Sequence, residues 1–202
     1  GAVSGVATDL LARKDAHHLA VIGAGAQGRS HLAAMMEVRD IQKVTVYDQR
    51  REAAKKYQKE MEEKYKIPVM VCDSVEEAVK GAEIICTVTP SKEPYLKAEW
   101  ITPGAHINAV GAFTPNTREI ESSLMAKAKL YADQVEAMKK ECGEYLIPKN
   151  EGLFGEEHIT GSIGGILAGQ VPGRENDTEI TLFDALGLAV EDVACGRFLC
   201  RE

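Results

Sequence analysis

Short apolar runs alternate with segments rich in charged residues along most of this chain of 202 residues. Most of the runs are four to six residues long, which is typical of parallel strands buried on both faces. They predict six strands, at residues 19–23, 43–48, 69–72, 83–88, 106–110 and 130–132. The segments between them predict five helices, at residues 30–38, 50–65, 74–80, 118–127 and 136–141. Repeated strand–helix units with right-handed crossovers predict a three-layer αβα fold with a doubly wound parallel sheet in the order 3-2-1-4-5-6.

Two apolar-faced segments lie outside this repeat, at residues 2–13 and 179–197, and both are predicted as helices. The intervening residues 152–173 contain seven glycines. This stretch is either a substrate loop or a set of turns and caps, and we favour the turns. A chain of this length suffices for one well-buried α/β domain and is short for two, so residues 1–202 are predicted to form a single domain.

The first predicted strand runs directly into a glycine-rich turn with Gly23, Gly25 and Gly28. A strand, this spacing of glycines and a helix form the fingerprint of a Rossmann-type dinucleotide-binding domain. Gly23 would let the chain turn off the strand, Gly25 would let the backbone approach a pyrophosphate, and Gly28 would let the helix pack on the strand. Asp48 ends the second strand 20 residues after Gly28 and could accept hydrogen bonds from an adenosine ribose. The alternative is a tight strand-to-helix turn that binds no ligand.

The ends of two further strands would complete this site, because ligands of open α/β sheets bind at the carboxyl ends of the strands. Residues 87–89 end the fourth strand and residues 110–111 end the fifth, where a nicotinamide and its ribose would lie, unless these are ordinary strand ends. No catalytic residue is assigned. The residues predicted to bind the cofactor are Gly23, Gly25, Ala26, Gln27, Gly28, Asp48, Gln49, Arg50, Thr87, Val88, Thr89, Val110 and Gly111.

The residues after the second strand bear on the choice between NAD and NADP. The carboxylate of Asp48 would bond the 2′-hydroxyl of NAD and repel the 2′-phosphate of NADP. Arg50 and Arg51 follow at once and could hold that phosphate instead. The sequence therefore favours NAD, with NADP as the alternative.

The net charge of −7 and the pI of about 5.4 argue against nucleic acid or an anionic membrane surface as a partner. No segment approaches the length of a membrane span, and none is typical of a signal peptide. The five cysteines form no CxxC pair, which favours buried or inert thiols in a reducing cytoplasm. The five histidines have no metal-ligand spacing with cysteine, so no metal site is predicted.

Four segments, taken together and in their order along the chain, carry a resemblance to known proteins. They are residues 1–5 (GAVSG), 23–28 (GAGAQG), 106–119 (HINAVGAFTPNTRE) and 180–192 (ITLFDALGLAVED). Together they resemble the ornithine cyclodeaminase/mu-crystallin family over nearly the whole chain. The resemblance implies the cofactor domain of a longer protein. Its N-terminal substrate and dimerisation domain would supply a lysine and arginines for the substrate carboxylate. It also implies a homodimer when that domain is present, end helices near the junction, and an isolated chain without turnover.

Phe113 occupies the place at which ornithine cyclodeaminases carry a proton-transferring aspartate, two residues before Pro115. Because phenylalanine cannot exchange a proton, the resemblance favours hydride transfer by an imine reductase or amino-acid dehydrogenase, with an amino acid or imine as the small-molecule substrate. One alternative is an ornithine cyclodeaminase, a lyase that releases ammonia during cyclisation with bound NAD. The other is a non-catalytic mu-crystallin-like protein that binds cofactor and a small ligand.

Overall fold

The computed structural model describes residues 1–200, and the strands among them form one parallel sheet. The eight strands in this part of the chain run in the spatial order β3-β2-β1-β4-β5-β8-β6-β7. Every neighbouring pair is parallel. The strands are β1 (His18–Ile22), β2 (Lys43–Tyr47), β3 (Val69–Val71), β4 (Ile84–Thr87), β5 (His106–Ala109), β6 (Lys129–Ala132), β7 (Ile159–Ser162) and β8 (Thr181–Asp184). The predicted doubly wound α/β fold is confirmed.

The predicted sheet order is right for β3, β2, β1, β4 and β5 and wrong beyond them. β8 lies between β5 and β6, and β7 adds the outer edge. The prediction of one helix over residues 179–197 is therefore wrong, because the fully buried Thr181–Asp184 is a strand. A buried apolar run of this length has no periodicity that separates strand from helix. The glycine-rich residues 152–173 contain β7 and a short helix besides turns.

The helices connect the strands and cover both faces of the sheet. They are α1 (Ala2–Leu11), α2 (Ala26–Val38), α3 (Arg51–Tyr65), α4 (Val75–Val79), α5 (Ser122–Lys127), α6 (Val135–Glu141), α7 (Gly143–Asn150), α8 (Ile163–Leu167) and α9 (Ala189–Leu199). α2 begins four residues before the predicted start, directly at the glycine turn. Ser74 caps α4 by accepting a hydrogen bond from the Glu77 backbone N–H at 3.0 Å. The Glu77 carboxylate accepts from the Asp73 N–H, one residue before this cap, at 2.7 Å.

The core lies on both faces of the central strands, as their continuous apolar sequence predicts. In β1, Leu19 and Val21 pack into the cluster that contains side chains of α2 and α3. Ala20 and Ile22 pack into the cluster on the opposite face, which contains side chains of α4 and α5. Strands buried on both faces leave only their ends for polar chemistry. The carboxyl ends of β1, β2, β4 and β5 carry the candidate site.

The five cysteines differ in burial. Cys72, Cys86 and Cys142 are buried, whereas Cys195 and Cys200 are exposed. Burial raises the pKa of the Cys86 thiol to about 12, so this thiol is unreactive at neutral pH. Within residues 1–200, no cluster of three metal-ligating side chains occurs. The described helices include none with the length and apolar character of a membrane span.

Candidate functional site

The three glycines of the turn between β1 and α2 meet different spatial constraints. Gly23 has a φ of +112°, and a Cβ there would lie 2.8 Å from the carbonyl oxygen of Val88. A Cβ on Gly28 would lie 2.3 Å from the carbonyl oxygen of Gly23. A Cβ on Gly25 would meet nothing within 4 Å. The fold therefore requires Gly23 and Gly28, as their predicted roles demand, but it leaves open space beside Gly25.

Gly25 is also the N-cap of α2, a helix of 13 residues, and no side chain among residues 1–200 caps this end. The first N–H groups of a helix have no partner within the helix, and the helix dipole adds partial positive charge there. Ala26, Gln27 and Gly28 form the first turn of α2. Together with the open space at Gly25, their backbone forms a surface that suits an anion.

A cleft of about 560 Å³ opens beside this turn, which is within the usual range of small-ligand pockets. Its walls come from the glycine turn, the end of β2 and the loop that follows β4. Tyr47, Val75 and Tyr95 also line it, and sequence reasoning missed all three. The predicted residues that line the cleft are Gly23, Gly25, Asp48, Gln49, Arg50, Val88 and Thr89.

Asp48 is held in place at the end of β2 by two backbone groups. Its Oδ2 accepts a hydrogen bond from the Ala24 N–H at 2.9 Å, and its Oδ1 accepts from the Arg50 N–H at 2.9 Å. The side chain is 13% exposed. A carboxylate offers about four acceptor positions, so two are left for a ligand in the cleft.

The two arginines after Asp48 differ in their partners. Arg50 is 80% exposed, and its Nε lies 3.8 Å from Asp48 Oδ1. Arg51 forms an ion pair with Asp73 on the far side of the loop. Arg50 is therefore the better placed of the two to meet a charged group in the cleft, although an exposed side chain of this kind moves easily.

Thr87, at the end of β4, is fully buried, and Val110 and Gly111 follow β5. These residues do not line the cleft, but they connect the ends of β4 and β5 behind its wall. The Val110 N–H donates to the Thr87 carbonyl oxygen at 3.0 Å. A Cβ on Gly111 would lie 2.1 Å from the Thr89 carbonyl oxygen, so the ends of β4 and β5 touch through their backbones.

Glu119 joins these two strand ends, and sequence reasoning missed its role. It is fully buried. Its Oε1 accepts from the Thr89 N–H at 2.7 Å, the Thr89 hydroxyl at 2.6 Å and the Tyr95 hydroxyl at 2.6 Å. Its Oε2 accepts from the Gly111 N–H at 2.9 Å. One carboxylate thus fixes the loop after β4 against the end of β5.

A second buried carboxyl group, Asp184, ends β8 beside β5. Its Oδ2 accepts from the Cys142 thiol at 3.2 Å, while its Oδ1 has no partner among the described residues. Burial raises its pKa to about 8, so the group is mainly protonated at neutral pH. Phe113, in the loop after β5, is 66% exposed.

The fold and the cleft define a doubly wound α/β domain whose glycine turn and acidic strand end form a ligand site at the carboxyl edge of the sheet. The family model for the ornithine cyclodeaminase/mu-crystallin family matches residues 1–201. The chain belongs to this family.

Relatives of known function resemble the chain over nearly its whole length. It is 41% identical over 200 residues to a Δ1-pyrroline-2-carboxylate reductase of Bacillus cereus. This match covers 98% of this chain and 61% of that protein. The structure of Thermococcus litoralis Δ1-pyrroline-2-carboxylate reductase in complex with NADH and L-proline has a TM-score of 0.94 and 42% identity, covering 96% of this chain and 60% of that one. An archaeal alanine dehydrogenase dimer with bound NAD has a TM-score of 0.91 and 39% identity, with coverage of 96% and 60%. The chain thus spans about three fifths of the length of the relatives that it matches.

Proposed function

We propose that this chain is the NAD-binding domain of an enzyme that transfers hydride between nicotinamide and the α-carbon of an imine or amino acid. The observation that carries the proposal is the open space beside Gly25, in front of the uncapped end of α2. The fold does not need a glycine at this position, whereas a pyrophosphate does. The reductase and dehydrogenase structures that the chain resembles bind NADH and NAD.

In this proposal the pyrophosphate lies against Gly25 and the first turn of α2, formed by residues 26–28. Asp48 accepts hydrogen bonds from the adenosine ribose, with Gln49 and Arg50 beside it. The nicotinamide extends toward residues 87–89 and 110–111, where the ends of β4 and β5 meet. When bound, NADH supplies the hydride at nicotinamide C4. The residues of this chain hold and orient the cofactor and exclude water from one of its faces.

The substrate class follows from the relatives and from Phe113. A pyrroline-2-carboxylate reductase reduces the C=N bond of a cyclic imine that carries a carboxylate, and such a substrate suits hydride transfer. Phe113 offers no proton-transferring group, which disfavours the cyclodeaminase alternative. The relatives are longer than this chain, so substrate contacts and dimer formation by the full-length protein are part of the proposal. The non-catalytic binding protein stays the second alternative.

The test uses the full-length protein and separates the three functions. One arm mixes NADH with Δ1-pyrroline-2-carboxylate, or with pyruvate and ammonia, and follows the absorbance of the reduced nicotinamide. A second arm mixes NAD with ornithine and measures ammonia release. We expect turnover in the first arm only. Ammonia release in the second arm would replace the proposal by a cyclodeaminase, and NADH binding without turnover in either arm would replace it by a binding protein.

A further inference from the structure

We infer that Glu119 is a positioning residue that fixes the wall of the cleft at the ends of β4 and β5, and so acts more on the nicotinamide half of the cofactor than on the adenosine half. This inference rests on the proposed NAD site. Glu119 lies beneath the loop after β4, and its carboxylate contacts Thr89, Tyr95 and Gly111. Thr89 and Tyr95 line the cleft, whereas Glu119 does not. It therefore acts through these neighbours.

The hydrogen bonds of Glu119 require an acceptor at both oxygens. A backbone N–H points at each of them, from Thr89 at Oε1 and from Gly111 at Oε2. A backbone N–H can only donate, and an ionised carboxylate can only accept. The hydroxyls of Thr89 and Tyr95 add two further donors at Oε1. Four donors that converge on one buried side chain match a carboxylate and no other side chain of the same size.

Glutamine has nearly the same shape as glutamate, yet it cannot satisfy this arrangement. Its amide carries one oxygen and one NH₂ group, and the NH₂ group is a donor. Either orientation sets that NH₂ group against the N–H of Thr89 or of Gly111. Because a buried donor without an acceptor is costly, one of the two strand ends must move away.

The main chain of Glu119 is also fixed from behind, which limits how far its carboxylate can shift to relieve a mismatch. The carboxylate of Glu144 accepts from the Glu119 N–H at 2.6 Å. The Glu119 carbonyl oxygen accepts from the N–H groups of Tyr95 and Leu96, at 2.8 Å and 3.0 Å. A Cβ on Gly111 would lie 2.6 Å from Glu119 Oε1, which shows how closely the chain passes. The two strand ends would therefore yield before Glu119 does.

The position of the network predicts a larger effect on the nicotinamide half of the cofactor than on the adenosine half. Asp48 takes its hydrogen bonds from Ala24 and Arg50, not from the groups that bind Glu119. A disturbance at Thr89 and Gly111 should thus weaken mainly the contacts to the nicotinamide and its ribose. ADP lacks both of these groups and should lose less affinity than NADH.

The experiment compares binding of NADH and ADP to this chain by calorimetry. We expect Glu119→Gln to weaken NADH about tenfold, as for a hydrogen bond to a charged group, and to weaken ADP by a clearly smaller factor. The control is Leu124→Ala, a change in the core that removes a fully buried side chain of α5 away from the cleft. It should lower stability without changing the ratio of the two affinities.

Tyr95→Phe keeps the inference testable if Glu119→Gln does not fold. This variant removes one hydroxyl donor and leaves both backbone hydrogen bonds to Glu119 intact. It should weaken NADH by a smaller factor than Glu119→Gln and weaken ADP less than NADH. An equal loss of both ligands, or no loss of either, in the variant that folds would overturn the positioning role. A wild-type chain that binds neither ligand would instead overturn the NAD site itself.

Discussion

Replacing Asp48 by asparagine should reverse the cofactor preference of the cleft. The change removes the charge and keeps the shape of the side chain. The asparagine carbonyl oxygen can still accept from the Ala24 N–H inside the glycine turn. The Arg50 N–H loses its acceptor, but Arg50 is exposed and water can replace it. The effect on binding is therefore an effect of charge more than of folding.

The magnitude follows from the burial and the fixed position of the carboxylate. Hydrogen bonds to a charged group contribute about 1.5–3 kcal/mol, so losing the charge should weaken NADH by roughly 10- to 100-fold. A carboxylate about 4 Å from a phosphate charge costs roughly 4 kcal/mol at an effective dielectric constant near 20, less the screening by salt. Asp48 is 13% exposed and held by two N–H groups, so it cannot turn away to relieve this repulsion. NADPH should gain about tenfold or more in the variant.

The assay measures dissociation constants of NADH and NADPH at one ionic strength for wild type and Asp48→Asn. Wild type should prefer NADH and the variant NADPH. Asp40→Asn is the matched control, since Asp40 precedes β2 at the opposite edge of the sheet and loses the same charge. Tighter binding of NADPH than of NADH by wild type would show that Arg50 outweighs Asp48 and would refute the reasoning.

Three further predictions concern the turn, a buried histidine and the chain as a whole. Gly25→Val should abolish NADH binding in a domain that still folds, since a Cβ there meets nothing and only N-cap preference is lost, whereas Gly28→Val should unfold the domain; calorimetry checks both. The His31 ring donates to Gln27 O, accepts from Ser4 Oγ and is buried, which lowers its pKa to about 4. Between about pH 6.5 and about pH 4 only the unfolded chain takes up this proton, so His31 alone should lower the stability of wild type by up to about 3 kcal/mol toward about pH 4. The loss should be smaller in His31→Gln by urea unfolding; equal pH slopes would contradict this. These 202 residues span about three fifths of the length of their relatives. They should bind NADH but should not turn over Δ1-pyrroline-2-carboxylate in the absorbance assay. Turnover by this chain would contradict the prediction.

The part of the fold that could be predicted has a local signal. β1 to β5 are short, mostly apolar runs bounded by polar helices, and their order follows from repeated crossovers. β8 has no such signal, because it pairs with β5 across more than 70 residues of chain, with Ala109 opposite Asp184. Such a pairing depends on the buried volume left between β5 and β6. Only the assembled sheet defines that volume.

The candidate site shows the same difference between residues with a local sequence signal and residues that meet only in the folded chain. The glycine turn and Asp48 could be predicted because their spacing along the chain fixes their relation in space. Glu119 and Thr89 are 30 residues apart and meet only because β4 and β5 are neighbours. In the sequence, Glu119 is one of 31 acidic residues and is indistinguishable from a solvated one. Its burial is what identifies it.

Gly25 separates what the fold requires from what the ligand requires. Gly23 and Gly28 are explained by the positive φ of one and the close carbonyl contact of the other, so their presence indicates the turn and nothing more. Gly25 has an extended backbone that any residue can adopt, and its missing side chain leaves empty space. At the N-cap of a helix, serine, threonine, asparagine and aspartate serve at least as well as glycine. The fold therefore has room for a side chain at Gly25 and would gain from a polar one, so the reason for the glycine lies in whatever approaches α2 from the cleft.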